Sequence, residues 1–515
     1  MNSNIKQNLV FTVIFIGLSI HFRFFETINL PPQSTDLWRQ ADCYSIALNY
    51  YQHGFDFFKP QVHFQFTQQG YAAGEFPLIY FLSAILFKIF GIHYFLFKGL
   101  NLMIFFCGLF ALFKILLKHT TDLFLSCFFS VLYFCTPVVF FYANNFLSDV
   151  SALSFNIIGL YFFIRFTESK TGSMLLISGV CFALAGLLKA SATIFLIAII
   201  CALISQHIIK EESTNQNSFS PKQRLLLLLS YFMALSLIVS WYVYAIKFNQ
   251  ANKTVFFGTK AMKGWPLWEN TYEQLIATLK IFWIIHIEIL SSFNLILFVV
   301  FIILILLFRK KTNSFYLSVW LFLGLGLGMF ITYFWKGFED QQYYLVNLLI
   351  LPLLSVILAA QICQTYNLTA RFKLYAYGVL SVCLLMVVYK SKNVYKCYYK
   401  GGWRHQKLTA VYYDSNTEKQ LINHGISKDS KIISLIDGTP NGTLSMLNRK
   451  GWSSYGFDKN SNYSEIEFES KIALGARYLI INDTALLKNK IIQKYTAQPL
   501  GNYQQLYFYK LPQLQ

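Results

Sequence analysis

Four short stretches of this sequence place acids and cations where they can do chemistry. The first is Asp36-Leu37-Trp38-Arg39-Gln40-Ala41-Asp42, followed by Ser45 to Tyr51, whose spacing is helical. A helix that begins early enough sets Arg39 and Asp42, three residues apart, on one face. A carboxylate held beside an arginine is expected to stay ionised, which suits a general base or a cation ligand. The plainer alternative is a helix cap with a surface ion pair. The second stretch is Gly74-Glu75-Phe76-Pro77, and the third is Asp149, which follows Tyr142 to Ser148 and opens an apolar run. An acid there either caps that helix and favours its dipole or belongs to a site. The fourth is Lys189, flanked by Leu187-Leu188 and Ala190-Ser191-Ala192 with no acid beside it in sequence. Such a cation either snorkels to headgroups or grips a phosphate.

The elements that must position these residues are set by the rest of the chain. Of 515 residues, 55% are apolar and only 13% charged, where a soluble enzyme carries about a quarter charged. The 52 Phe and 33 Tyr exceed what soluble cores bury, so the composition indicates an integral membrane protein. It excludes a disordered chain, a disulfide scaffold and a transmembrane β-barrel, because the apolar stretches are long and continuous. The net charge of +19, from 43 Lys and Arg against 24 Asp and Glu, reads largely as a topology signal, with no nucleic-acid partner implied. Seven of the nine cysteines lie inside apolar runs, leaving Cys43 and Cys397 as the places where a redox argument could start.

Spans are expected near 9–27, 97–117, 123–142, 148–166, 173–188, 190–208, 224–247, 291–308, 315–335, 343–362 and 374–390. The first reads as a retained anchor, since Glu26 to Leu30 offers no small-residue cleavage site. With the N-terminus cytoplasmic, the inner connections hold Lys6, Lys114, Lys118, Arg165, Lys170, Lys210, Lys222, Arg224, Arg309 to Lys311, Arg371 and Lys373. Making Pro77 to Ile92 a further span would invert everything after it, so it is expected to lie at the outer interface. The reading is a polytopic α-helical protein of about eleven spans, N-terminus in and C-terminus out. It divides into a membrane domain over 1–390, with outer loops 28–96, 142–149 and 248–290, and an extracytoplasmic α/β domain over 391–515.

In that C-terminal domain Ile432 to Asp437, Arg477 to Asp483 and Gln504 to Lys510 are expected strands, with a helix through Met446. Its loops Asp437 to Asn441 and Asn448 to Trp452 contain glycine but no phosphate-binding motif, and read as turns or as parts of an acceptor-recognition surface. The third outer loop, from Gly264-Trp265-Pro266 through an amphipathic Tyr272 to Trp283, is an interfacial helix or a mobile lid. The topology gathers Asp36, Asp42, Glu75 and Asp149 at one membrane face.

An acidic first outer loop, a Glu-x-Pro before an interfacial helix, an acid opening the span after the second outer loop and an outward C-terminal domain together resemble the C-type membrane glycosyltransferases. The nearest branch is the bacterial one that groups with the protein O-mannosyltransferases and the lipid A aminoarabinose transferase. Trp38-Arg39-Gln40-Ala41-Asp42 is similar to a first-loop signature in that branch, and Lys336 to Tyr344 to its paired-tyrosine segment. The resemblance implies inverting transfer of a sugar from a polyprenyl-phosphate donor, on the non-cytoplasmic face of a bacterial inner membrane. The acceptor would be a hydroxyl of a glycan, a glycolipid or a protein. It makes Asp42 or Asp36 the base or a metal ligand, Asp149 the second acid, and Glu75 the ligand of a divalent cation. The chain departs from the family pattern in lacking an adjacent Asp-Glu pair in the first loop. It also lacks a metal-completing His in the third outer loop before His286, which leaves metal dependence open.

A polyprenyl-phosphate leaving group gains negative charge in the transition state, so fixed cations should stabilise it. Arg39, Lys189, Lys260, Lys263 and Lys336 are the candidates. Two other readings remain. A polymerase or ligase using a polyprenyl-diphosphate carrier would want large loops rich in Arg and His, whereas this first loop is centred on acids. A lipid or solute transporter would want mid-span charges or broken paired helices.

Overall fold

Each of the eleven apolar stretches falls on helix in the computed structural model, which describes residues 3–66, 69–208, 219–254, 266–365, 370–400, 412, 414, 416–457 and 463–513. Six of these helices are long and apolar enough to cross a membrane: Tyr94–Thr120, Asp149–Ser169, Pro221–Ala251, Ser314–Tyr333, Tyr344–Gln364 and Lys373–Tyr399. Two bent pairs can each make one more span. Leu123–Phe134 meets Pro137–Ala143 at 72°, and Tyr272–Ile289 meets Ser292–Leu307 at 98°. The first break falls where Pro137, at the first turn of its helix, has no N–H to continue the preceding one. Ser3–His21 and the shorter apolar helices Gly172–Leu188 and Ala190–Gln206 occupy the remaining expected spans. Leu78–Phe90 has only 13 residues, about 20 Å of helix, too short for a hydrocarbon core of about 30 Å.

Contacts within the chain define two compact units. The first comprises Met1–Ile28, Lys98–Val243 and Lys263–Cys397. Its helices approach closely through small residues, as membrane helices do. A Cβ added at Gly108 would lie 2.6 Å from the Ser154 Cβ, and one at Gly159 would lie 2.8 Å from the Phe182 ring. Asn101 ties down the loop before Asp149: its Nδ2 donates to the carbonyls of Asn145 at 2.8 Å and Leu147 at 3.2 Å, and its Oδ1 accepts from Ser151 at 2.7 Å. Ser148 Oγ donates to the Leu188 carbonyl at 3.1 Å, and Asn156 Nδ2 to the Ala192 carbonyl at 3.0 Å. These bonds clip the Asp149 helix start to the break around Lys189.

The second unit comprises Asn29–Phe97, Tyr244–Met262 and Tyr398–Gln515. The first outer loop is thus grouped with the C-terminal segment. A five-stranded sheet runs through it, formed by β1 (Lys431–Leu435), β2 (Gly451–Ser453), β3 (Ala476–Ile481), β4 (Pro499–Tyr503) and β5 (Leu506–Lys510). The order is β2-β1-β3-β5-β4, with β1 parallel to both neighbours and β5 antiparallel to both of its own. Ile432, Ile433 and Leu435 of the central strand are fully buried, as a strand covered on both faces requires. β2 and β4 go beyond the three strands expected from sequence. One is three residues long and starts at Gly451; the other starts at Pro499 and contains Gly501, residues that mask a strand pattern. The first outer loop lies along β2, with Gly451 N–H donating to the His63 carbonyl at 3.0 Å and Gln65 N–H to the Gly451 carbonyl at 2.8 Å.

Candidate active site

In the second unit the first-loop helix runs from Leu37 to His53, longer at its start than Ser45 to Tyr51 alone suggests. Asp36 precedes it in the left-handed region at φ 54°, and Gln40 Nε2 fastens the entering chain by donating to the carbonyls of Gln33 and Thr35, each at 2.7 Å. The helix therefore includes both Arg39 and Asp42, which face one another as the spacing predicts, with Nη1 3.5 Å from Oδ2. Arg39 Nη2 also reaches Glu75 Oε1 at 2.6 Å, so one guanidinium holds two carboxylates. Asp42 is wholly enclosed, while Arg39 and Glu75 remain 16% and 14% exposed at their side chains.

A fourth member of this cluster, Asn441, comes from the C-terminal segment. Its Nδ2 donates to Asp42 Oδ1 at 2.8 Å, and its Oδ1 accepts from Phe64 N–H at 2.9 Å, which fixes the orientation of the amide. The loop that presents it is built by Asp437, whose two carboxylate oxygens accept from the backbone N–H and hydroxyl of Thr439 and of Thr443 at 2.7–2.8 Å. The Asp437 to Asn441 segment stands out in sequence only as a turn. No spacing rule links it to an acid 399 residues away.

The expectation that Arg39 keeps Asp42 ionised needs correction. Burial raises the Asp42 carboxyl from 3.8 to about 7, outweighing the lowering by Arg39 and by the Asn441 hydrogen bond; the charge of Glu75 adds to the rise. A carboxyl poised there can take and release a proton near neutral pH. The charge of Asp36, by contrast, bears on Tyr398. Cys43 Sγ lies 3.3 Å from the Tyr80 hydroxyl and its thiol is pushed up to about 12, chiefly by burial, which makes it unreactive.

The other cluster lies in the first unit. Asp149, 2% exposed at the start of its helix, accepts an ion pair from Lys189 Nζ at 2.9 Å. Lys189 sits in an extended residue between Gly172–Leu188 and the short turn Ala190–Ala192, and its Nζ is 4.4 Å and 5.1 Å from the ring centroids of Tyr343 and Tyr344. An ammonium enclosed by a carboxylate and two aromatic faces is held in place rather than snorkelling. Lys336 is half-buried at the N-cap of Gly337–Asp340. Lys260 and Lys263 lie outside the described residues.

The fit of a divalent cation at Glu75 is poor. Glu75 and Asp42 both already face the Arg39 guanidinium, and Asp42 also accepts from Asn441. His286 is buried in the first unit with Nε2 2.5 Å from the Phe338 carbonyl. Among the described residues no three His, Cys, Asp or Glu side chains form a cluster suited to a metal.

Residues 75–244 match the family model of the dolichyl-phosphate-mannose-protein mannosyltransferases. No curated protein matches the chain in sequence. Among solved structures, ArnT from Cupriavidus metallidurans in the apo state aligns over 99% of this chain and 98% of its own, at 9% identity and a TM-score of 0.57. The Archaeoglobus fulgidus oligosaccharyltransferase complex with Zn and sulfate aligns over 94% of this chain and 71% of its own, at 13% identity and a TM-score of 0.51. With its apolar helices and its small C-terminal sheet, the chain is a multi-pass membrane protein with the fold of the C-type polytopic membrane glycosyltransferases.

Proposed function

We propose that this protein transfers a sugar from a polyprenyl-phosphate-linked donor to a hydroxyl acceptor, with inversion, on the non-cytoplasmic face of a bacterial inner membrane. The observation that carries the reading is Asp42, an enclosed carboxyl poised at about 7 and held between Arg39 and Asn441. In its ionised form Asp42 takes the acceptor proton as the acceptor oxygen bonds to the anomeric carbon. The bond from that carbon to the phosphate oxygen breaks with its electron pair, and polyprenyl phosphate leaves. Inversion follows from a single displacement on the face opposite the leaving group. Arg39 is the fixed positive charge of this centre: it holds Asp42 and Glu75 and offsets the charge of an approaching phosphate. No step passes through a metal, because the carboxylates that would bind one already share the guanidinium.

Lys189 is the proposed grip for a lipid-linked phosphate, with Asp149 holding its ammonium. Lys336, Lys260 and Lys263 keep the same proposed role in the outer loops. The acceptor is a glycan, a glycolipid or a protein, and the segment after 391 is the proposed recognition domain. The test compares the glycans and glycolipids of cells producing the wild-type protein or Asp42→Asn at equal level. A product present with wild type and absent with the variant supports the reading; identical profiles that both contain the product overturn the role of Asp42.

A further inference from the structure

The second unit contains a cavity of about 490 Å³ that the transfer chemistry does not use. Its walls include the rings of Phe64, Trp452, Tyr455 and Phe457, with two lysines, Lys253 and Lys471, in the lining; among the described residues no acid lines it. Phe64 stands edge-on to Tyr455 with ring centroids 5.8 Å apart at 81°, so the rings form walls rather than a closed stack. Gly456 keeps that space clear: a Cβ there would come within 3.1 Å of the Phe64 ring and 3.5 Å of the Lys471 Cε.

Lys471 is the unusual member. It is only 6% exposed, and among the described residues its ammonium makes a single long hydrogen bond, 3.4 Å to the Glu467 carbonyl. The Glu467 carboxylate is taken by the helix start, accepting from Ser464 N–H at 3.0 Å and Ser464 Oγ at 2.8 Å. No carboxylate pairs with Lys471 among the described residues; its Nζ rests 3.9 Å from the centre of the Phe457 ring. Burial lowers its pKa to about 8 and outweighs the opposite effect of the Glu467 charge, whose carboxylate is engaged at the helix start. A buried cation in this condition is one that an incoming anion would stabilise. Lys253 adds a second, exposed positive charge at the rim.

We propose that this cavity binds an anionic saccharide, a sugar whose carboxylate or phosphate pairs with Lys471 while its apolar face lies on the aromatic walls. Aromatic faces with a few placed polar groups are the usual make-up of a small-ligand site, and the volume lies in the range of such sites. Under the transfer reading, on which this assignment of a role rests, the cavity selects acceptors that carry an acidic sugar. Binding itself does not depend on transfer.

The test uses the full-length protein in lipid nanodiscs with no donor present, and measures binding by calorimetry. The probes are a hexuronate-terminated disaccharide, its methyl ester, the neutral disaccharide, a hexose 6-phosphate, inorganic phosphate and adenosine monophosphate. The acidic sugars should bind at least tenfold more tightly than the ester and the neutral sugar, and the two acidic probes report whether carboxylate or phosphate is preferred. Lys471→Met and Gly456→Leu should each lower that affinity at least tenfold, Lys471→Arg should retain most of it, and Asp42→Asn should leave it unchanged. Affinity for a carboxylate sugar should fall as pH rises through about 8. Equal binding of acid and ester, or undiminished affinity in Lys471→Met, overturns the proposal. So does binding of inorganic phosphate or adenosine monophosphate as tight as that of the sugars. Failure here leaves Asp42 untouched, and loss of the Asp42 assignment leaves this binding intact.

Discussion

At Asp42 burial and the Arg39 charge pull in opposite directions, and burial wins. The sign of the consequences follows. The folded carboxyl binds its proton up to about 7, whereas an unfolded one releases it near 3.8, so stability from this group is complete in acid and is lost as pH rises through about 7. Activity runs the other way, since only the ionised form accepts a proton. Asp42→Asn, which keeps the shape without a charge to bury, should therefore melt above wild type at pH 8 while losing about 10²–10⁴-fold in transfer rate. Thermal melts at pH 5 and pH 8 check the first half; a Tm at pH 8 below wild type would count against a buried, titrating Asp42. Asn441→Ala removes a hydrogen bond that favours the ionised form, and should move the acid limb of the rate profile upward by about half to one pH unit. The Arg39 and Asp42 pairing is legible in sequence because i and i+3 share a helix face. The raised carboxyl is not, because burial belongs to the folded environment.

At the scale of the element, the decisive feature is a break between helices. Lys189 is placed by the extended residue between Gly172–Leu188 and Ala190–Ala192, and Asp149 by a loop clipped to the same break. The two are 40 residues apart in sequence, so the absence of an acid beside Lys189 in sequence does not reveal the partner that the fold brings to it. Lys189→Met takes the ammonium away from a buried carboxylate and should cost about 3–5 kcal/mol, seen as a lower Tm and a lower protein level. Adding Asp149→Asn to it should restore level and melting without restoring transfer. A double variant as unstable as the single one would show that the pair is not coupled. Packing makes a separate demand: Gly159→Val drives a side chain into the Phe182 ring and should destabilise by about 1–3 kcal/mol, read from the same melts.

Across the whole molecule, composition and charge bias were enough to indicate a membrane-spanning chain with many helices and a polar C-terminal segment, because span length and apolarity are local properties. The grouping of the first outer loop with the C-terminal segment was not legible. It depends on Gly451 bonding the His63 and Gln65 backbone and on Asn441 bonding Asp42, contacts between residues nearly 400 positions apart. Arg449 shows how far the site depends on that segment. Its guanidinium is fully buried, pairs with both Glu418 oxygens at 3.0 Å and 3.2 Å, and donates to the carbonyls of Ile426, Leu447 and Asn448. Arg449→Met leaves those carbonyls unsatisfied, a loss on the order of 3 kcal/mol, and should reduce transfer through loss of Asn441 placement. Chelation should leave wild-type transfer unchanged, since Asp42 and Glu75 already face the Arg39 guanidinium. The most direct measurement of the central claim is the pH dependence of sugar transfer by the purified protein in nanodiscs, supplied with polyprenyl-phosphate sugars extracted from the producing cell. The account predicts release of polyprenyl phosphate with an acid limb near pH 7, displaced upward in Asn441→Ala and absent with Asp42→Asn; transfer by Asp42→Asn at the wild-type rate and with the wild-type profile would contradict it.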